Sequence, residues 1–241
     1  MPPGVEDTLN PGGEADNVTQ PTEVRHIVLV RHGQTEWNQE RRFQGKTDTS
    51  LNDVGREQAR ALAGRLSSWP VEVVYSSPLE RALYTARTVA ERHGLSPQVL
   101  EELHEVDFAE WEGLSIPALK TERRRDFERW RADPFFNPPP GAETWEDIHG
   151  RLERAFRKIL EGPENRIVVV SHGGVMRAIY AVLVGLDPHM VWNMDVSNCA
   201  MSGVEVRNGR ICLAFANDDL HIRGREAGQA MPVWGGPGSF L

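Results

Sequence analysis

The chain has 241 residues, a formal net charge of −8, 39% hydrophobic and 26% charged residues, proportions that suit one α/β domain with a substantial core. The acidic balance argues against a general nucleic-acid binder, which needs a basic face to release counterions. No run of about 18 apolar residues is present to span a bilayer, and Cys199 and Cys212 alone supply neither a disulfide framework nor a thiolate zinc cluster.

In chain order, residues 1–24 are rich in Gly, Pro and polar side chains without periodicity, which predicts a flexible N-terminal tail. They contain no basic start and no apolar run, so no secretory signal is recognised and the expected compartment is the cytoplasm. The run at 26–31 reads as a strand buried on both faces, as do 71–75 and 166–171. The first strand ends in Arg31-His32-Gly33. After the second, Leu79, Ala82, Leu83, Ala86, Val89 and Ala90 make one helical stripe, with Arg81 off that stripe in the first turn. A loop then carries four carboxylates, Glu105, Asp107, Glu110 and Glu112, within "LHEVDFAEWEG".

Further on, Ile116, Leu119, Arg123, Phe127 and Trp130 share one helical face, predicting an amphipathic surface helix within a lid or specificity segment at 115–144. Thr144 and Asp147 have the spacing of a capping box, opening a helix whose inward residues are Ile148, Leu152, Ala155, Phe156 and Ile159. The third strand ends in "SHGG", Ser171 to Gly174, and is followed by a stripe of Val175, Ala178, Ile179, Val182 and Leu183. Asn208-Gly209 predicts a two-residue hairpin turn pairing Arg207 with Arg210, Val206 with Ile211 and Val204 with Leu213. That register sets Cys212 opposite Glu205, so both cysteines are expected to be free thiols. Residues 223–241 return to tail composition, leaving a folded domain over 25–222. The pattern predicts an α/β three-layer sandwich: a largely parallel central sheet, helices on both faces, and an antiparallel hairpin near the C-terminus.

In a parallel sheet the strand-to-helix junctions share the carboxyl edge, where helix N-termini and loops form the ligand crevice. Arg31, His32, Arg81 and His172 can therefore surround one small anion, and phosphate is the natural candidate because guanidinium matches its oxygens in pairs. A neutral imidazole can attack phosphorus, and the arginines can supply the charge that magnesium supplies elsewhere. A carboxylic acid is also needed, and spacing does not choose among the four carboxylates. The remaining histidines singled out, His26, His93, His149, His189 and His221, lack ligand-like spacing, so neither a catalytic metal nor a cofactor is expected.

The blocks "VRHGQTEWN", "FQGKTDTSLNDVGREQA", "VYSSPLERALYTA", "LHEVDFAEWEG", "PPGAETW" and "VSHGGVMRA" closely resemble the histidine phosphatase superfamily. The resemblance is to the branch of cofactor-dependent phosphoglycerate mutases and related small-molecule phosphatases. It covers roughly 28–178, and "VSNCAMSGVEV" extends it to about 206. It implies that His32 becomes phosphohistidine, that Glu105 is the proton donor and later the base, and that Arg31, Arg81 and His172 hold the phosphoryl oxygens. It also implies help from Asn38 and the backbone at Gly173, with Gln44 and Gly45 lining the entry. Asn38 could instead be a cap, and Gln44 and Gly45 plain loop residues. Ala109 stands where relatives often have glycine, and "PPGAET" replaces a common "PGGES".

The expected function is a phosphatase of a small phosphorylated metabolite, working without metal through a phosphohistidine, with no nucleic-acid or membrane partner. The alternatives are a phosphoglycerate mutase, which returns the phosphoryl group to a bound intermediate, a phosphoprotein phosphatase, and a non-catalytic phospho-ligand binding module. The sequence leaves a homo-oligomer open.

Overall fold

The computed structural model describes residues 24–223, so all but the innermost residue of each expected tail lies outside the described residues. Those two residues are structured. The strands are β1 (Val24–Arg31), β2 (Val73–Ser76), β3 (Gln98–Val99), β4 (Arg166–Ser171), β5 (Met201–Arg207) and β6 (Arg210–Asp218), joined in one sheet in the order β3-β2-β4-β1-β5-β6. The helices are α1 (Glu36–Gln39), α2 (Asp53–Leu66), α3 (Glu80–Glu91), α4 (Ile116–Glu122), α5 (Arg124–Ala132), α6 (Trp145–Glu161), α7 (Gly173–Val184) and α8 (Leu220–Arg223). No described helix is long and apolar enough to cross a membrane.

Side-chain alternation divides the core into two layers. Val28, Val30, Val74, Val168 and Val170 pack toward Ala59, Leu62 and Ala63 of α2 and Ala82, Ala86 and Val89 of α3. Ile27, Leu29, Tyr75, Ile167 and Val169 join Leu152 and Phe156 of α6 and Val175 and Ile179 of α7. Central strands apolar on both faces are what this covering demands. β4 pairs in parallel with both β1 and β2, while β5 runs antiparallel to β1 and to β6. The hairpin pairs Arg207 with Arg210, Val206 with Ile211, Glu205 with Cys212 and Val204 with Leu213, as the Asn-Gly turn predicts. Cys199 is buried, Cys212 exposed, and both are free.

Two expectations are corrected in detail. Residues 116–132 are not one helix: at Arg123 the backbone leaves helical geometry (φ −133°, ψ 39°) and α5 begins anew. The apolar face survives the break, because Leu119, Phe127 and Trp130 are all buried. Phe43 meets Phe108, Trp111 and Trp130 edge-on at 4.9, 5.4 and 5.0 Å, so this part of the 115–144 segment belongs to the core. The helix α2 is an addition to the predicted elements; its buried stripe of Ala59, Leu62, Ala63 and Leu66 follows an Asn52 cap.

Ala109, the departure from the resembling pattern, has φ 48°. That left-handed conformation strains any residue with a Cβ and suits glycine. Ala109→Gly is therefore expected to raise the unfolding free energy by roughly 0.5–1 kcal/mol, the relief of strain exceeding the entropy gained by the unfolded chain. Urea unfolding of the two proteins measures it.

Candidate active site

β1, β2 and β4 lie side by side in the sheet and deliver their carboxyl ends to one edge. β1 and β2 connect to helices on one face, whereas β4 connects to α7 on the other, which opens a crevice at the switch of direction. His32 leaves β1 with its amide on the Ser171 carbonyl at 2.9 Å. Its own carbonyl accepts from Asn198 Nδ2 at 3.0 Å. These two anchors fix the backbone on both sides of the imidazole.

The ring is oriented as well. Nδ1 of His32 donates to the Gly33 carbonyl at 2.7 Å, which leaves the Nε2 lone pair for chemistry. Burial first, then the guanidiniums of Arg81 and Arg31, holds His32 well below the ordinary imidazole value, so the ring is neutral and nucleophilic. His172 lies next to it, with ring centroids 5.1 Å apart. Its Nε2 meets Ser77 Oγ at 2.7 Å, and its buried Nδ1 has no protein partner. His172 is likewise held well below the ordinary value, by burial first and Arg81 second.

A pH dependence of stability follows from these two depressed imidazoles. Below about pH 6.5 the unfolded chain takes up protons that the folded rings refuse, so folding stability is intact above that pH and is lost as pH falls. Each ring is expected to contribute a slope of up to about 1.4 kcal/mol per pH unit. Urea unfolding between pH 7.5 and 5.5 should show the loss, and His172→Asn should make the slope shallower.

The arginines are anchored at one end and unpartnered at the other. Arg31 Nη1 donates to the Val196 carbonyl at 2.6 Å, while its buried Nε has no protein partner. Arg81 is fully buried and donates to the carbonyls of Thr47 at 2.9 Å and Gly45 at 2.7 Å, again leaving Nε unpartnered. Burial pushes Arg81 down to about 10, so it stays charged at neutral pH. An orphaned buried donor costs about 1–3 kcal/mol, more when charged, unless an acceptor reaches it.

The four carboxylates separate cleanly. Glu105 alone of the four borders the cavity with the imidazole: its oxygens accept from the amides of Val106 (2.9 Å), Gly174 (3.3 Å) and Val175 (3.2 Å) at the start of α7. A Cβ on Gly174 would come within 2.8 Å of Glu105 Oε1 and 3.0 Å of Val106 Cγ2, so a side chain there would displace the carboxylate from this position. Glu112 instead clasps the Lys46–Thr47 loop, accepting from the Lys46 amide at 2.8 Å and the Thr47 amide at 3.0 Å. It thereby supports the carbonyls that orient Arg81. Asp107 accepts from the Ala109 amide at 2.8 Å, and Glu110 pairs with Arg123 at the surface.

A cavity of about 350 Å³ has Arg31, His32, Asn38, Gln44, Gly45, Arg81, Glu105 and Gly173 on its walls. Asn38 is both cap and lining: its Oδ1 accepts from the Thr35 amide at 3.1 Å in the capping box of α1, and the residue borders the cavity. Gln44 is held through Oε1 by the hydroxyls of Thr35 (3.0 Å) and Thr49 (2.7 Å). Gly45 has φ 52° and no room for a side chain beside Glu112, and its role extends to holding Arg81 through its carbonyl. Ser77, Asn198, Arg177 and Trp192 were not singled out from sequence. Ser77 and Arg177 sit inside quoted blocks, four or fewer residues from a candidate, where a helical or loop position was the only signal. Among the described residues, no group of three or more His, Cys, Asp or Glu side chains converges as around a metal ion.

Known proteins are similar to this chain in sequence and in fold. The pattern of the histidine phosphatase superfamily, branch 1, matches residues 27–219. Phosphoserine phosphatase 1 of Hydrogenobacter thermophilus is 32% identical over 197 residues, covering 81% of this chain and 93% of that protein. Glucosyl-3-phosphoglycerate phosphatase of Mycolicibacterium vanbaalenii is 35% identical over 177 residues, covering 68% of this chain and 76% of that protein. The solved structure of mycobacterial glucosyl-3-phosphoglycerate phosphatase superposes with a TM-score of 0.74 at 30% identity, covering 80% of this chain and 99% of that one.

Proposed function

The chain belongs to the histidine phosphatase superfamily, branch 1, and we propose that it hydrolyses small phosphomonoester metabolites through a phosphohistidine formed on His32. The observation that carries this reading is a neutral His32 imidazole in one cavity with Arg31 and Arg81, and 5.1 Å from the His172 ring, where Arg31 Nε, Arg81 Nε and His172 Nδ1 are buried without protein partners. A phosphoryl group supplies acceptors to all of them at once. The named phosphatases among its relatives support hydrolysis over phosphoryl return to a bound intermediate.

In the first step His32 Nε2 attacks phosphorus, the ester P–O bond breaks, and the leaving oxygen takes the proton of the Glu105 carboxylic acid. In the second, water attacks the phosphohistidine and gives its proton to the Glu105 carboxylate. The P–N bond breaks with its electron pair returning to Nε2, and inorganic phosphate departs. Arg31, Arg81 and His172 stabilise charge on the nonbridging oxygens in both steps. The cytoplasm is the compartment proposed, supported by two unpaired thiols.

The test is phosphate release from a panel of phosphomonoesters in the presence of chelator, run beside a phosphoglycerate isomerisation assay with added bisphosphoglycerate. Hydrolysis that persists in chelator is expected. Isomerisation with little release would make the enzyme a mutase, and phosphate binding without either reaction would make it a binding module.

A further inference from the structure

Glu105 sits in a stretch without regular structure. One 3₁₀ turn ends at Leu103, and residues 104–108 belong to no helix or strand, so no backbone ladder fixes the carboxylate at the cavity. The loop is instead gripped at both ends by one buried ion pair. Glu143 directly precedes the α6 cap Thr144, and Arg151 lies on the second turn of α6; their side chains are 11% and 5% exposed.

Arg151 Nε donates to Glu143 Oε1 at 2.6 Å and Nη2 donates to Oε2 at 3.0 Å, a two-point fork. Nη1 of the same guanidinium donates to the Glu102 carbonyl at 2.6 Å. At the far end of the loop, Glu143 Oε2 accepts from the Asp107 amide at 3.3 Å, and the Glu143 amide donates to the Asp107 carbonyl at 3.0 Å. Between the two ends, Ser171 Oγ donates to the Leu103 carbonyl at 2.9 Å and His104 Nδ1 to the Glu105 carbonyl at 2.8 Å. A buried ion pair adds little net stability, because desolvating both groups offsets their attraction. This one spans the backbone from three residues before Glu105 to two residues after it. Neither Arg151 nor Glu143 is on the cavity wall, so an effect on turnover has to pass through the loop.

Resting on the assignment of Glu105 as acid and base, we infer that the Arg151–Glu143 pair positions Glu105, holding its carboxylate on the first turn of α7 where it can exchange a proton with the leaving oxygen. The end of the 115–144 segment, expected from sequence to select the substrate, then serves proton transfer.

Removing one partner would strand the other as a buried charge, so the decisive variant replaces both, Arg151→Met together with Glu143→Leu, an exchange that buried ion pairs commonly tolerate. Amide hydrogen exchange in the full chain reads position without turnover. The amides of Val106, Gly174 and Val175, whose acceptor is Glu105, are expected to exchange at least about tenfold faster in the double variant, with those of β1 and β4 unchanged. Hydrolysis of an alkyl phosphate is expected to lose about 10–100-fold in kcat with KM within about threefold. The first nitrophenolate from p-nitrophenyl phosphate leaves without a proton and should keep its rate. Arg151→Lys, with a point charge in place of a fork, should fall between. Faster exchange throughout the sheet, with both substrates slowed alike, would make the pair a packing element and overturn the inference; so would unchanged exchange and unchanged kcat. Should the double variant fail to fold, the contrast between the two substrates in Arg151→Lys decides in the same way. Absence of wild-type hydrolysis of either ester would remove the phosphatase reading, while exchange at the three amides still decides whether the pair holds the carboxylate.

Discussion

His32→Ala is expected to lower phosphate release from every phosphomonoester by at least about 10⁴-fold, because in the proposed mechanism His32 forms the covalent intermediate that divides the reaction into two displacements. The substitution is structurally mild. The imidazole bonds only to the carbonyl of the next residue, Gly33, and the backbone anchors to Ser171 and Asn198 do not involve the side chain. Arg31 and Arg81 keep their own carbonyl partners, so inorganic phosphate should still bind. The variant thus separates binding from chemistry. Rapid quenching with labelled substrate should trap a base-stable, acid-labile phosphoenzyme in wild type and none in His32→Ala. Full activity in the variant would remove the mechanism and return the neighbouring imidazole, His172, to consideration.

What could be read in the sequence and what could not divides along a physical line. Strand cores and helix stripes are local: the β-branched run Val168 to Val170 reads as a buried strand and forms one, and Thr144 with Asp147 forms the capping box its spacing predicts. The junction residues were legible for the same reason, since a parallel sheet sends Arg31, Arg81 and His172 to one edge whatever the loops do. The choice among Glu105, Asp107, Glu110 and Glu112 was not local. It depends on how an irregular loop passes the amides of Gly174 and Val175, and only the resemblance selected Glu105 before the geometry was seen. The break at Arg123 had no glycine or proline to announce it. α2 was obscured because half of its stripe, Ala59 and Ala63, is alanine, whose apolar signal is weak, leaving Leu62 and Leu66 near the helix end and Gly55 at its start. Arg177 had every local feature of a solvated helical arginine; its stacking on Trp192 is a contact between α7 and a segment that follows it, which no period reports.

The position of Glu105 makes a second expectation sharper than simple loss of activity. Glu105→Gln should slow hydrolysis of alkyl phosphates by about 10²–10⁴-fold, the usual worth of a positioned acid–base group. With p-nitrophenyl phosphate the outcome should differ in kind, because nitrophenolate leaves without needing a proton. His32 is untouched in this variant, so the first displacement should stay fast. The second still requires a base to take the proton from water, and Gln cannot provide one. The expected stopped-flow trace is a burst of about one nitrophenolate per active site followed by slow turnover, with phosphohistidine accumulating between the two phases. A slow first phase on both substrates would assign Glu105 a different part, that of an anchor on the first turn of α7 which orients the site without moving a proton. The two outcomes are distinguishable because the same carboxylate touches both the cavity and the amides of Gly174 and Val175, yet only proton transfer depends on the leaving group.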